Sequence, residues 1–186
     1  QIESITIPPS LIKICESSFS QCNKLKIVEI PPNSELRIIE KLAFAWTNIE
    51  SFTVPPHLTE ISEETFIYCS KLQKVEFHSN SELQTIGKKA FYQTAIEKFI
   101  IPHHLTKICE SAFSNCKQLL TVEVPINSEL RTIEKCAFGY TLIQSFSIPS
   151  KLNELKDGWL SYIPNLRKIN IDSNNQNYTI YDDKLV

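Results

Sequence analysis

Apolar side chains recur along this chain as one fixed ladder. A leucine opens each copy at Leu11, Leu36, Leu58, Leu83, Leu105, Leu130 and Leu152. Three residues later comes Ile14, Ile39, Ile61, Ile86, Ile108 or Ile133, and then Phe19, Phe44, Phe66, Phe91, Phe113 or Phe138. An alternating piece closes the copy: Leu25-x-x-Val28-x-Ile30, Ile49-x-x-Phe52-x-Val54 and Leu72-x-x-Val75-x-Phe77. Its later forms are Ile96/Phe99/Ile101, Leu119/Val122/Val124, Ile143/Phe146/Ile148 and Leu166/Ile169/Ile171, with Ile2/Ile5/Ile7 ahead of the first leucine. Alternation rich in β-branched and aromatic residues marks a half-buried strand.

The leucines stand alternately 25 and 22 residues apart, which gives a 47-residue super-repeat in blocks 11–57, 58–104 and 105–151. The first and third blocks agree at 28 of 47 positions, so internal duplication is secure. A period in the twenties is the signature of a solenoid. Long units end on Asn-Ser-Glu (Asn33–Glu35, Asn80–Glu82, Asn127–Glu129). Short units replace it with Pro55-Pro56-His57, Pro102-His103-His104 and Pro149-Ser150-Lys151. Long units also hold one more residue ahead of the strand.

Strands recurring in one direction without hairpin signals should pair in parallel. Proline, lacking an N–H, closes the strand at Pro8, Pro31, Pro55, Pro102, Pro125 and Pro149. Between strands, 40–46 and 87–92 read as short helical turns on the opposite side. One unit offers about six apolar side chains at roughly 1.5–3 kcal/mol each, against about 1.5 kcal/mol per ordered residue. A unit therefore cannot fold alone, whereas stacked neighbours can. The expected fold is an α/β repeat: a leucine-rich-repeat solenoid, parallel sheet on the concave face, helical turns opposite, in one domain spanning 1–186.

The motif I-P-x-x-L-x-x-I-x-x-x-A/S-F-x-x-C-x-x-L-x-x-V-x-I-P resembles the BspA-like leucine-rich-repeat family. Here it reads Ile7-Pro8-Pro9-Ser10-Leu11 through Phe19, Cys22, Leu25, Val28, Ile30 and Pro31. The resemblance covers residues 1–177 and implies a microbial or protist surface antigen that adheres to host cells, matrix proteins or other microbes. The ending Asn177–Val186 is similar to the family's variant terminus, an acidic turn followed by a new strand. Leu160, Ile163 and Asp172 depart from the motif where Phe, Cys and Pro belong. The family supplies no catalytic residues to carry over.

Composition narrows the function classes. A net charge of −2 gives no general attraction to nucleic acid or anionic membrane. No apolar run approaches the ~18–20 residues that cross a bilayer. Three glycines are too few for phosphate-binding loops. The chain holds no Met, not even at position 1, and reads as a piece of a longer precursor.

Candidate chemistry is sparse. Cys22, Cys69 and Cys116 share one repeat position, two units and ~10 Å apart, beyond disulfide reach. They read as small buried hydrophobes, with Thr47, Thr94 and Thr141 taking their place in short units. Cys15 and Cys109 are likewise far apart, and Cys109/Cys136 is the one pair worth testing for a bridge. With no C-x-x-C, no zinc site is expected. His57, His78, His103 and His104 read as solvated turn residues, since repeat spacing separates His57 from His104 by ~10 Å. No catalytic residues, metal or cofactor are therefore assigned. The triplet Asn177-Tyr178-Thr179 is a glycosylation sequon.

The exposed positions of the strands are the candidate binding surface: Glu29, Thr53, Lys74, Glu76, Lys98, Ile100, Thr121, Glu123 and Ser147. Glutamate recurs on every second strand, and Ile27, Ile100 and Leu120 add apolar points. Duplication alone would also copy such a stripe, without any ligand. A broad mixed face suits a protein or glycan partner better than a small molecule. The reading is a cell-surface or secreted recognition module that neither inserts in a membrane nor binds nucleic acid. The alternative is a cytoplasmic scaffold, favoured by unpaired thiols. Uncapped ends would also allow edge-to-edge association of copies.

Overall fold

The computed structural model describes residues 2–181 together with Lys184 and Leu185. Two rows of short strands run along the chain, numbered here in chain order. The first row is β1 (Ser4–Thr6), β3 (Ile27–Glu29), β5 (Ser51–Val54), β7 (Lys74–Phe77), β9 (Lys98–Ile100), β11 (Thr121–Glu123), β13 (Ser145–Ile148) and β15 (Lys168–Ile171). The second is β2 (Lys13–Ile14), β4 (Ile38–Ile39), β6 (Glu60–Ile61), β8 (Thr85–Ile86), β10 (Lys107–Ile108), β12 (Thr132–Ile133) and β14 (Glu154–Leu155). Within each row the pairing is parallel, as the repeat requires. The molecule is a parallel β-solenoid of about seven turns. At the C-terminal end, β16 (Ile180–Tyr181) and β17 (Lys184–Leu185) pair antiparallel. The acidic turn at 182–183 and the terminal residues 1 and 186 lie outside the described residues.

The 47-residue period is written into the first row. Its strands pair two by two, β1–β3, β5–β7, β9–β11 and β13–β15, where equivalent residues are offset by 23: Ile5↔Val28, Phe52↔Val75, Phe99↔Val122 and Phe146↔Ile169. At the seams β3/β5, β7/β9 and β11/β13 the offset is 24, and no ladder forms. The odd residue of the super-repeat is thus absorbed between pairs. One backbone bond still crosses the β3/β5 seam, Glu50 N–H to Lys26 O at 3.2 Å, and two cross β11/β13, Leu142 N–H to Leu119 O at 3.1 Å and Gln144 N–H to Leu120 O at 3.4 Å. Among the described residues no backbone hydrogen bond crosses β7/β9.

The expected helical turns are absent: no helix occurs among the described residues. The segments 40–46 and 87–92 are instead chains of tight turns, for a reason visible in the backbone. Each unit holds two left-handed residues four apart, as at Ser17 and Gln21, Leu42 and Trp46, or Ser111 and Asn115. Alternate N–H groups also serve different partners. Ser18, Ser20 and Cys22 donate to carbonyls three residues back, while Ser17, Phe19 and Gln21 donate across to Lys41, Ala43 and Ala45 of the next unit. A helix needs every N–H within its own turn, so stacking excludes it. Close backbone approach also explains the fully buried column Ala43, Ala90, Ala112 and Ala137.

Between these walls lies the core. Phe19, Phe44, Phe66, Phe91, Phe113 and Phe138 form one continuous stack, with centroids 5.2–5.5 Å apart between neighbours. Phe52, Phe99 and Phe146 lean against it from the strand side. Where Leu160 replaces the next phenylalanine, Trp159 covers the end, packed edge-on to Phe146 at 5.0 Å. The register leucines from Leu36 to Leu152 are fully buried.

The turn inserts also acquire a role. In short units the proline carbonyl accepts the register leucine's N–H directly, as Pro102 does from Leu105 at 3.1 Å. In long units the buried serine of Asn-Ser-Glu intervenes: Ser128 N–H donates to Pro125 O, and Ser128 Oγ accepts from Leu130 N–H at 3.3 Å. The two extra residues of the long turn are accommodated with the N–H groups of the serine and of the register leucine both paired.

Candidate functional site

The alternation that buries Val28, Phe52 and Phe99 turns their neighbours outward. Eight of the nine strand-face residues are exposed: Glu29, Thr53, Lys74, Glu76, Lys98, Ile100, Thr121 and Glu123, while Ser147 is half-buried beside Asn170. Register sets their partners. Thr6 Oγ1 donates to Glu29 at 2.7 Å. Thr53 lies opposite Glu76, which Lys74 of its own strand engages at 2.7 Å. Lys98 crosses from β9 to Glu123 on β11 at 2.6 Å, and Ile100 lies opposite Glu123. The glutamate stripe is therefore not a row of bare charges; each carboxylate is held by a neighbour. These are exposed pairs, worth about 0–1 kcal/mol, so they shape the surface more than they hold the fold.

The open β7/β9 seam carries a groove of about 820 Å³. Four of the nine residues, Lys74, Glu76, Lys98 and Ile100, line it, with Phe77 and His103. Phe77 is half-buried and meets Phe99 edge-on at 5.6 Å, and Ile100 is 50% exposed. Both groove lysines point their charge into ion pairs on their own side of the seam, which leaves an apolar strip between polar margins. The remaining five predicted residues lie on other strands, with Thr121 and Glu123 adjoining on β11. The period predicted the face, and the seam could be found only from the pairing.

Two further features were not assigned from sequence. Trp46 and Tyr68 stack at 5.4 Å, and Tyr140 and Tyr162 at 4.6 Å, all at left-handed turn positions on the opposite side. In the proline turns, His57 Nδ1 meets Glu82 at 3.2 Å, and His104 Nδ1 lies 3.8 Å from Glu129. Repeat arithmetic compared equivalent histidines with one another and so missed that each faces the glutamate of the next unit. Lys151, then His104 and His103, hold the Glu129 carboxyl below its ordinary value.

The six cysteines are free thiols, and Cys109 and Cys136 form no bridge. Cys69 and Cys116 are buried as expected, with thiols donating to the carbonyls of Phe44 and Phe91 at 3.1 and 3.0 Å. Burial pushes both thiols up to about 11. Cys22 is half-buried, and Cys15 is exposed. Asn177 of the sequon is exposed. Among the described residues no helix is long and apolar enough to cross a membrane.

These features define a leucine-rich-repeat solenoid with parallel strands, an exposed strand face and turns in place of helices. The profile of the "BspA type Leucine rich repeat region" matches in six copies over residues 1–120 and 84–183, and the chain belongs to that family. Among solved structures it is similar to a leucine-rich cell surface protein from Faecalibacterium prausnitzii, at 22% identity and a TM-score of 0.57 over 93% of this chain. It is also similar to a leucine-rich-repeat protein from T. pallidum, at 21% identity and a TM-score of 0.66 over 90% of this chain. It spans 62% of the length of the first and 73% of the second. Among curated proteins none matches the chain.

Proposed function

We propose that this chain is a recognition module that holds a protein partner, or a glycan carried by one, on its strand face at the β7/β9 seam. The observation that carries this reading is the groove itself, with Phe77 and Ile100 at an unbonded seam flanked by Lys74, Glu76 and Lys98. Apolar anchors inside a polar rim are the usual anatomy of an energetic centre in an interface. The array acts as one domain across 1–186, with Glu29, Thr53, Thr121, Glu123 and Ser147 widening the contact beyond the groove. Adhesion at a cell surface fits the family and the printed description of the F. prausnitzii relative as a cell surface protein. The chain itself performs no catalysis in this reading.

The test is saturable binding of the folded chain to intact epithelial cells and immobilised matrix glycoproteins, compared with Ile100→Asp. Loss of binding by the folded variant supports the seam. Retained binding removes the seam from the reading and leaves the outer strands as the next surface. A second reading, an intracellular scaffold, is favoured by the six free thiols, Cys15 exposed among them. It gains weight if the wild-type chain binds none of these surfaces.

A further inference from the structure

The turn that follows β9 brings together three metal-ligating side chains. His103 and His104 are the two central residues of a tight turn closed by Leu105 N–H to Pro102 O at 3.1 Å. Their rings lie 4.6 Å apart between centroids. Glu129, one unit on, is fastened over them by its own backbone, its N–H donating to His103 O at 3.1 Å. One ligand atom from each of His103, His104 and Glu129 lies within 4.8 Å of the other two. Among the described residues this is the only such group of histidine, cysteine and acidic side chains.

We propose that His103, His104 and Glu129 form a binding site for a divalent transition ion of the zinc type, with one coordination position left for water or a donor from a bound partner. Two imidazoles and a carboxylate are the donor set that suits such ions and disfavours calcium or magnesium. Zinc bonds of about 2.0–2.1 Å place tetrahedral ligand atoms about 3.4 Å apart. Both imidazoles are exposed and Glu129 is half-buried, so side-chain rotation alone can draw the three ligand atoms in.

The repeat supplies internal comparisons. The equivalent turn one super-repeat earlier has Pro56 and His57 against Glu82, one imidazole short of a site. The third has Ser150 and Lys151, and Lys151 Nζ lies 3.6 Å from Glu129, where it competes with a bound cation for the carboxylate. Duplication explains the glutamates, but not the second histidine, which the middle turn alone carries. Because His103 and His104 also line the β7/β9 groove, the open position belongs to the rim of that surface. The site stands on its own geometry and does not depend on the groove's binding a partner.

Calorimetric titration of the purified, reduced chain with zinc chloride, paired with the absorption spectrum of the cobalt(II) form, tests this. One ion per chain is expected, with a cobalt spectrum free of thiolate charge-transfer bands. His103→Ala, His104→Ala and Glu129→Gln should each weaken binding by about tenfold or more, since even outer-shell partners of a metal site carry losses of that order. His57→Ala should change nothing, and Lys151→Gln should tighten binding by freeing the carboxylate. Circular dichroism of each variant verifies the fold. The proposal is overturned if the folded chain takes up no zinc, if binding survives His103→Ala or Glu129→Gln, or if alkylating the thiols abolishes it.

Discussion

Thr47 Oγ1 lies 3.3 Å from Cys69 Sγ, and both groups donate to the same acceptor, the carbonyl of Phe44. Thr94 and Cys116 repeat the arrangement on Phe91, with 3.2 Å between oxygen and sulfur. The alternation of Thr and Cys along one column is thus a hydrogen-bonded seam between short and long units. It is buried throughout, except at Cys22, which is half-buried. Because the thiolate is the reactive form, the seam also sets the order of chemical reactivity. Alkylation of the native chain at pH 8, followed by peptide mass spectrometry, should modify exposed Cys15 rapidly. Cys69 and Cys116 should react only after denaturation, and equal rates at all three would contradict the buried seam.

The same shift makes stability depend on pH at the alkaline end. Burial raises the thiols of Cys69 and Cys116 from the ordinary 9.0 to about 11 in the folded chain. Below pH 9 both folded and unfolded states keep these protons, and the full stability is present. Between pH 9 and about 11 only the unfolded chain releases them, so stability falls as pH rises through that window. Thermal unfolding across the window should show a falling midpoint. A Cys69→Ala, Cys116→Ala variant starts lower, through lost packing, but should fall less steeply. The slope is the informative quantity, because lysine and tyrosine titration contributes to both proteins alike.

The phenylalanine stack gives the largest expected loss. Phe91 sits between Phe66 and Phe113, nearly parallel to Phe66 at 5.4 Å, and is fully buried. Phe91→Ala should cost about 3–5 kcal/mol in urea unfolding. Phe19 is half-buried and stacks on Phe44 alone, so Phe19→Ala should cost distinctly less. Equal losses at the two positions would mean that the stack does not carry energy from unit to unit.

How much of this was legible in the sequence depended on which interaction decides each element. Strands at Val28, Phe52 or Phe99 are fixed by burial of alternate residues, a local pattern that eight copies repeat. The Cys/Thr column was legible as small and buried for the same reason. The segment Glu40-Lys41-Leu42-Ala43-Phe44-Ala45 consists of good helix formers apart from Phe44. Yet Leu42 adopts φ 59°, and its N–H crosses to Glu63. Cross-unit backbone bonding overrides propensity there, and single-unit reasoning has no access to it. The strand-face residues named from the period are exposed, Ser147 excepted, but the β7/β9 groove depends on which strands pair. The meeting of His104 with Glu129 depends on how one unit's turn caps the next.

The left-handed turn positions carry the last expectation. Ser111 has φ 57° and donates its N–H to Lys135 O at 3.0 Å, so its conformation is imposed by the neighbouring unit rather than by serine itself. An L-residue pays roughly 1–2 kcal/mol in this region, and a β-branched side chain suffers most. Ser111→Gly should therefore leave stability unchanged or raise it by about 0.5–1 kcal/mol, its relief partly offset by the greater freedom of the unfolded chain. Ser111→Val should lower stability by about 1–2 kcal/mol, although valine favours the strands a few residues away. Denaturant midpoints for the pair distinguish the two accounts of these turns. If valine matched glycine, the turn would have shifted out of the left-handed region, and the cross-unit bonds from Ser111, Phe113 and Asn115 would not be what excludes the helix.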